Sequence, residues 1–374
     1  MKVSDRAPEY VRAIAPYVGG KPIEELAREL HLDPGTIIKL ASNENPRGAS
    51  PKVQAAIAAA VSEVTRYPDG NAFALKAALA SRLGVAAEQI VLGNGSNDVL
   101  ELVAQAFLRP GDHVVFSQYA FIVYPLATQA RGARGIEVPA KDYGHDLDAM
   151  RSAITSETRV VFIANPNNPT GTWLPGHVVE RFIDSVPRDV IVVLDEAYNE
   201  FLDPSEQAES TAWVSTHPNL VVSHTFSKAH GLAALRVGYG VMNPEVADLL
   251  NRVRQPFNVN ALAQAAALAA LDDVQYVEDS RRLNREGMRQ LESALRELGV
   301  RFLPSRGNFV MIEVGDASAV YQALLRDGVI VRPVANYNLP TWLRVTVGTT
   351  SENERFLAAL ARSIASSGGT ARAH

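Results

Sequence analysis

Lys228 raises a question of chemistry, because it follows the apolar run Leu220-Val221-Val222 and stands in the crowded stretch His224-Thr225-Phe226-Ser227-Lys228-Ala229-His230-Gly231. An amine on a long stem in such surroundings suits a Schiff base with a carbonyl compound. Three further polar clusters also follow apolar, strand-like runs. Gly93-Asn94-Gly95-Ser96-Asn97 comes after Ile90-Val91-Leu92, where glycines let backbone amides approach an anion and a helix start favours a phosphate. Asn165-Pro166-Asn167-Asn168-Pro169-Thr170-Gly171 is a loop held rigid by two prolines, with the Asn168 amide available to donate. Asp195 ends the apolar run 190–194, a place where a carboxylate needs a partner such as a protonated ring nitrogen. Tyr198, three residues on, can turn its hydroxyl to the same ligand, and Arg236, eight residues after Lys228, offers a phosphate a bidentate fork.

Each cluster alone has an ordinary structural reading: a solvated lysine, a glycine turn, a loop, a helix N-cap, a surface salt bridge. Their sum is what pyridoxal phosphate demands: an amine, a carboxylate for the ring, an anion cradle and an arginine.

The elements that must position these residues alternate. Apolar strands are expected at 90–92, 113–116, 135–138, 159–164, 190–194, 220–223 and 237–241. Helices are expected at 51–64, 72–83, 99–108, 124–129, 148–153 and 178–186. Such alternation reads as an α/β fold, a mainly parallel sheet with helices on both faces and ligands beyond the strands' carboxyl ends. A long helical connection, 244–298, breaks near 255–258. The tail then changes to strands at 301–303, 308–313, 329–331 and 343–347, with helices at 317–326 and 352–363. The expected division is an N-terminal arm, 1–40, holding a helix at 23–30 and returning to the smaller unit, a large domain at 41–265, and a small α+β domain at 266–374. Residues 366–374 are expected to be disordered.

With 374 residues the chain exceeds one ordinary core. Its net charge of −5 argues against nucleic acid or an anionic membrane as partner. The absence of cysteine removes disulfides and thiolate metal sites, and the sparse histidines lack ligand spacing, so no metal is expected. Without a signal-like start or a membrane-length apolar run, the expectation is a cytoplasmic soluble enzyme.

At these residues the chain resembles the fold-type I pyridoxal-phosphate aminotransferases. Within them it is similar to the branch that acts on L-histidinol phosphate with 2-oxoglutarate. The likeness includes Leu40-Ala41-Ser42-Asn43-Glu44-Asn45-Pro46, Tyr67-Pro68-Asp69-Gly70, Tyr119-Ala120-Phe121, Asp195-Glu196-Ala197-Tyr198, Arg254-Gln255-Pro256-Phe257-Asn258-Val259-Asn260 and Leu343-Arg344-Val345-Thr346-Val347-Gly348. It implies a large domain with a mainly parallel seven-stranded sheet, pyridoxal 5'-phosphate as cofactor, and a homodimer. By the same resemblance Lys228 carries the cofactor and moves the proton between Cα and C4′, and Asp195 pairs with the ring nitrogen. Asn168 and Tyr198 meet the phenolate oxygen, and Tyr119 stacks on the ring. Gly95, Ser96, Asn97, Thr225, Ser227 and Arg236 hold the phosphate, with Tyr67 reaching that of the neighbouring subunit. Asn43, Arg332 and Arg344 fall at the substrate end, and Tyr17 is expected to reach it from the other subunit.

The chain departs from the family pattern at His230, usually tyrosine, and at Ala234 and Asn338, usually glycine. These bear on substrate preference more than on reaction type. The alternatives are an aromatic amino-acid aminotransferase, a related phosphate-recognising decarboxylase, and a catalytically silent binding module on the same fold.

Overall fold

The computed structural model describes residues 2–17 and 19–366. Residues 367–374 of the expected disordered tail lie outside the described residues, whereas Ser366 ends the last helix, Thr350–Ser366.

Seven strands form the main sheet, in the order Ile90–Gly93, Gly238–Met242, Leu220–Thr225, Ile191–Asp195, Thr158–Ala164, His113–Ser117, Arg134–Val138. All neighbours run parallel except Gly238–Met242, which is antiparallel to both of its neighbours. Its central strands are buried on both faces, which explains why 191–194 and 220–222 read as unbroken apolar runs. Side chains alternate between two cores: Val192, Leu194 and Val222 enter one, Ile191, Val193 and Val221 the other. Among the described residues, no helix is long and apolar enough to cross a membrane.

The helix breaks follow local chemistry. Ser50 caps Pro51–Ala60 by accepting from the Val53 N–H, and Gly84, left-handed at φ 67°, ends Phe73–Leu83. The long helical connection breaks twice rather than once, giving Pro244–Val253, Ala261–Leu271 and Val274–Glu297. The expected boundary after residue 265 falls inside Ala261–Leu271, whose buried residues all pack in the large-sheet core. The chain leaves that core at Asp272-Asp273 instead.

The second unit is built on a four-stranded antiparallel sheet, Arg332–Pro333, Trp342–Thr346, Phe309–Glu313, Arg301–Leu303, with its own core around Leu291, Val310, Leu343 and Phe356. The lead-in divides between the units. Ile38–Lys39 pairs with Val329–Ile330, and Leu26 of helix Ile23–Leu30 packs with Leu325 and Ile330. Further back, the Tyr10 carbonyl accepts from Gln129 Nε2 on the large unit at 3.3 Å. Arg332–Pro333 lies beyond the strand expected at 329–331; its proline cannot donate to a ladder and is tolerated at the sheet's edge.

Candidate active site

The carboxyl ends of Ile191–Asp195 and Leu220–Thr225 open, with the loop 165–171, into one cavity of about 890 Å³ of empty space, partly open to solvent. Thirteen of the sixteen candidate residues line it: Tyr17, Asn43, Ser96, Asn97, Asn168, Asp195, Tyr198, Thr225, Ser227, Lys228, Arg236, Arg332 and Arg344. They arrive from both units and from the lead-in, whose Tyr17 lines the cavity of its own chain rather than that of a neighbouring subunit.

Asp195 is in register with Ala164 on one side and Ser223 on the other, so the sheet holds its backbone from both edges. Its Oδ2 accepts from the Tyr124 hydroxyl at 2.9 Å, while its buried Oδ1 has no hydrogen-bond partner among the described residues. Burial pushes the carboxyl up to about 6, against the Tyr124 hydroxyl, the Ala197 N–H and Lys228. Lys228 Nζ donates to the Ser42 carbonyl at 3.1 Å. Burial first, then the guanidiniums of Arg344 and Arg236, bring its amine down to about 8, against the carboxylates of Glu44 and Asp195. Near pH 8 a large share of this lysine is therefore the neutral, nucleophilic amine.

Tyr198 Oη accepts from Asn43 Nδ2 at 2.8 Å, and burial raises the phenol to about 12, so it remains a donor throughout the working range. Asn43 sits left-handed at φ 55°, braced by Thr346 Oγ1, which accepts from its N–H at 2.9 Å, and by Asn308, which donates to its carbonyl at 3.0 Å. Arg344, buried, donates through Nη1 to Asn168 Oδ1 at 2.6 Å and through Nη2 to the Ala41 carbonyl at 2.8 Å. The Asn168 amide nitrogen is thereby left to face the cavity.

At the anion end, Gly95 caps the helix Ser96–Phe107 with φ 84°, and a Cβ there would run into the Arg236 guanidinium. Arg236 Nη1 donates to Ser227 Oγ at 3.3 Å and Nη2 to the Asn94 carbonyl at 3.4 Å, drawing the helix start, the lysine loop and a cation together. Gly95 therefore shapes the cradle without lining the cavity.

Two candidates lie elsewhere. Tyr119 stacks on Tyr143 at 5.7 Å, and Phe121, two residues on, lines the cavity. Phe121 was within the quoted motif, and its spacing of three from Tyr124, which sets both on one side of a helix start, was the available signal. Tyr67 is 82% exposed, stacked on Phe257 at 4.7 Å beside a separate shallow depression. Ser42, Ala197 and Tyr124 were also missed as site residues. The atypical residues stay out of the lining: His230 leans on Phe226 at 4.9 Å, Ala234 is exposed, and Asn338 holds the left-handed turn at φ 59° that asparagine tolerates.

The family described as Aminotransferase class I and II matches residues 35–360. The chain belongs to this aminotransferase family. Histidinol-phosphate aminotransferase 2 of Pseudomonas fluorescens is 61% identical over 356 residues, covering 95% of this aminotransferase and 96% of the relative. Histidinol-phosphate aminotransferase 1 of Cupriavidus pinatubonensis is 59% identical over 361 residues, covering 96% of each. The crystal structure of histidinol-phosphate aminotransferase from Sinorhizobium meliloti, in complex with pyridoxal-5'-phosphate, is similar with a TM-score of 0.89 at 30% identity, covering 96% of this chain and 98% of that one.

Proposed function

We propose that this aminotransferase moves the amino group of L-histidinol phosphate to 2-oxoglutarate, giving 3-(imidazol-4-yl)-2-oxopropyl phosphate and L-glutamate in histidine biosynthesis, with pyridoxal 5'-phosphate as cofactor. One observation carries the phosphorylated substrate: Arg332 and Arg344 stand directly opposite each other on an antiparallel pair, in the same cavity as Lys228 and Asp195. Like charges opposed across strands are destabilising, and a dianion between them turns that repulsion into binding.

The residues present fit the cofactor. Asp195 Oδ1 is a buried acceptor in want of a donor, which a protonated ring nitrogen supplies. Ser96, Asn97, Thr225, Ser227 and Arg236, with Gly95 at the turn, form a cradle for its phosphate. When bound, pyridoxal phosphate supplies an electron sink for the pair left at the substrate's Cα. The Lys228 amine takes the Cα proton and returns it. Asp195 keeps the ring nitrogen protonated, Asn168 and Tyr198 hold the phenolic oxygen, and Phe121 walls the ring. Arg344 acts twice, orienting Asn168 and facing the substrate's anionic group. Tyr17, whose ring lies 5.4 Å from the Arg332 guanidinium, covers the outer end.

The active unit is a cytoplasmic homodimer. The ring of Tyr67, 82% exposed, is stacked on Phe257 and shares a surface depression with Val64, an apolar face that a second copy would bury. Tyr67 then reaches the partner's phosphate cradle. A monomer with full activity would refute this.

The deciding assay compares L-histidinol phosphate with L-phenylalanine as donors to 2-oxoglutarate. A preference of about 100-fold or more in kcat/KM for the phosphorylated donor is expected, the scale of one well-held charge pair. A preference for phenylalanine overturns the substrate assignment.

A further inference from the structure

The geometry points to Tyr124 as a positioning residue for the reaction: its hydroxyl holds one oxygen of Asp195, so that the other alone is presented to the ring nitrogen of the cofactor. The inference rests on the cofactor reading above.

Tyr124 lies on the helix Val123–Ala130, which covers the sheet face that Asp195 shares with Ile191 and Val193. It is fully buried. Its ring is stacked on Phe162 at 4.6 Å and 5°, and meets Phe121 edge-on at 5.9 Å. Phe162 pairs in register with Val193, two residues before Asp195, so the stack places the phenol alongside the strand end. With packing on two sides the ring has little freedom, and its hydroxyl donates to Asp195 Oδ2 at 2.9 Å.

Two consequences follow for Asp195. Rotation about its terminal torsion would turn the carboxylate plane, and the tyrosine holds that plane so that the oxygen it does not bind is the one presented to the ring nitrogen. Donation from the phenol also favours the carboxylate over the acid, against the burial that favours the acid. The tyrosine itself is held well above its usual range by burial and by Asp195, so it donates at any working pH. The other groups facing this pair are Lys228 from the loop after Leu220–Thr225, Tyr198 from the loop after Ile191–Asp195, and Tyr337 from the smaller unit, while Glu196, next in the chain, turns to the opposite sheet face. Of these, only Tyr124 donates a side-chain hydrogen bond to Asp195.

The experiment uses the holoenzyme and Tyr124→Phe, which keeps the ring and removes the hydroxyl. Affinity for pyridoxal phosphate is expected to fall about 10-fold and kcat about 10- to 100-fold, the range for a hydrogen bond to a charged group, with KM for the donor unchanged. The pH at which the bound cofactor changes absorbance should move upward, because a less protonated ring nitrogen no longer acidifies the lysine-linked nitrogen. In an Asp195→Asn background the same change should cost little, since Tyr124 acts through Asp195. As an isosteric second probe, 3-fluorotyrosine at position 124 is a stronger donor and should move the absorbance transition the opposite way. Unchanged cofactor affinity and pH profile, or an undiminished cost in the Asp195→Asn background, overturns the proposal. Failure of the unaltered protein to bind pyridoxal phosphate would instead overturn the cofactor reading.

Discussion

At the inner end of the cavity, Asp195, Lys228 and Asn168 come from adjacent strand ends of one sheet, and their polar atoms are tied to Tyr124, the Ser42 carbonyl and Arg344. At the outer end, Tyr17 comes from the lead-in and is 60% exposed, and Arg332 comes from a two-residue edge strand. The inner geometry is set by sheet register, in which a slip of one residue would send Asp195 to the opposite face. The outer geometry is set by shorter elements with more freedom. Reaction type is therefore fixed by the rigid end, and the choice of donor is left to the adaptable end.

Changes at the two ends should fail in different ways. Lys228→Ala removes the group that handles the Cα proton and should lower kcat about 10⁴-fold for every donor, read in single-turnover assays. A loss confined to one donor would break the distinction. Arg344→Lys stands between the ends, because the guanidinium both orients Asn168 and faces substrate. It should cost about 100-fold with phosphorylated and unphosphorylated donors alike. Arg332→Gln belongs to the outer end alone. It should raise KM for histidinol phosphate about 10-fold or more, with little change for phenylalanine. Equal losses with both donors would place Arg332 in the inner machinery.

The inner end was the more legible one. Polar clusters after apolar runs announce strand ends, and Asp195, Asn168, Ser96 and Lys228 could be read from that pattern because local sequence determines both strand and turn. What stayed hidden depends on contacts between distant parts of the chain. Asn43 is braced by Asn308 and Thr346, and Lys228 meets the Ser42 carbonyl, links that no local pattern encodes. Tyr124 was legible only as the start of the helix expected at 124–129, because its hydroxyl finds Asp195 only once the helix is laid on the sheet. The placing of Tyr119 was hidden for a related reason: which aromatic of a loop turns toward the cavity depends on the packing of Tyr143 and Trp342 around it. The helix Ala261–Leu271, almost all alanine and leucine, carries no charge to show which core it joins.

The smallest effect on turnover, and the sharpest on stability, is expected one residue beyond the site. Glu196 follows Asp195 but turns to the opposite sheet face, where its Oε2 accepts from Ser210 Oγ at 2.7 Å and lies 3.4 Å from His224 Nε2. Burial, with Glu200 and Asp195 nearby, pushes the carboxyl up to about 8, and burial brings His224 down to about 4. Near neutral pH the contact is therefore an acid beside a neutral imidazole rather than an ion pair. Because the folded protein holds this proton more tightly than the unfolded chain, the stabilisation is complete below about pH 4.5 and lost as the pH rises toward 8. Glu196→Gln keeps the shape and removes the titration. Relative to the unaltered protein, the cofactor-free variant should gain in melting temperature steadily from pH 5 to pH 8.5. His224 titrates in both proteins, so the difference isolates Glu196. Turnover should change by less than about 3-fold, since the hydrogen bonds that orient Asp195 lie on the other face. A pH-independent difference in melting temperature would show that Glu196 is already charged when folded, and a large loss of turnover would mean that the two faces of the strand end are coupled.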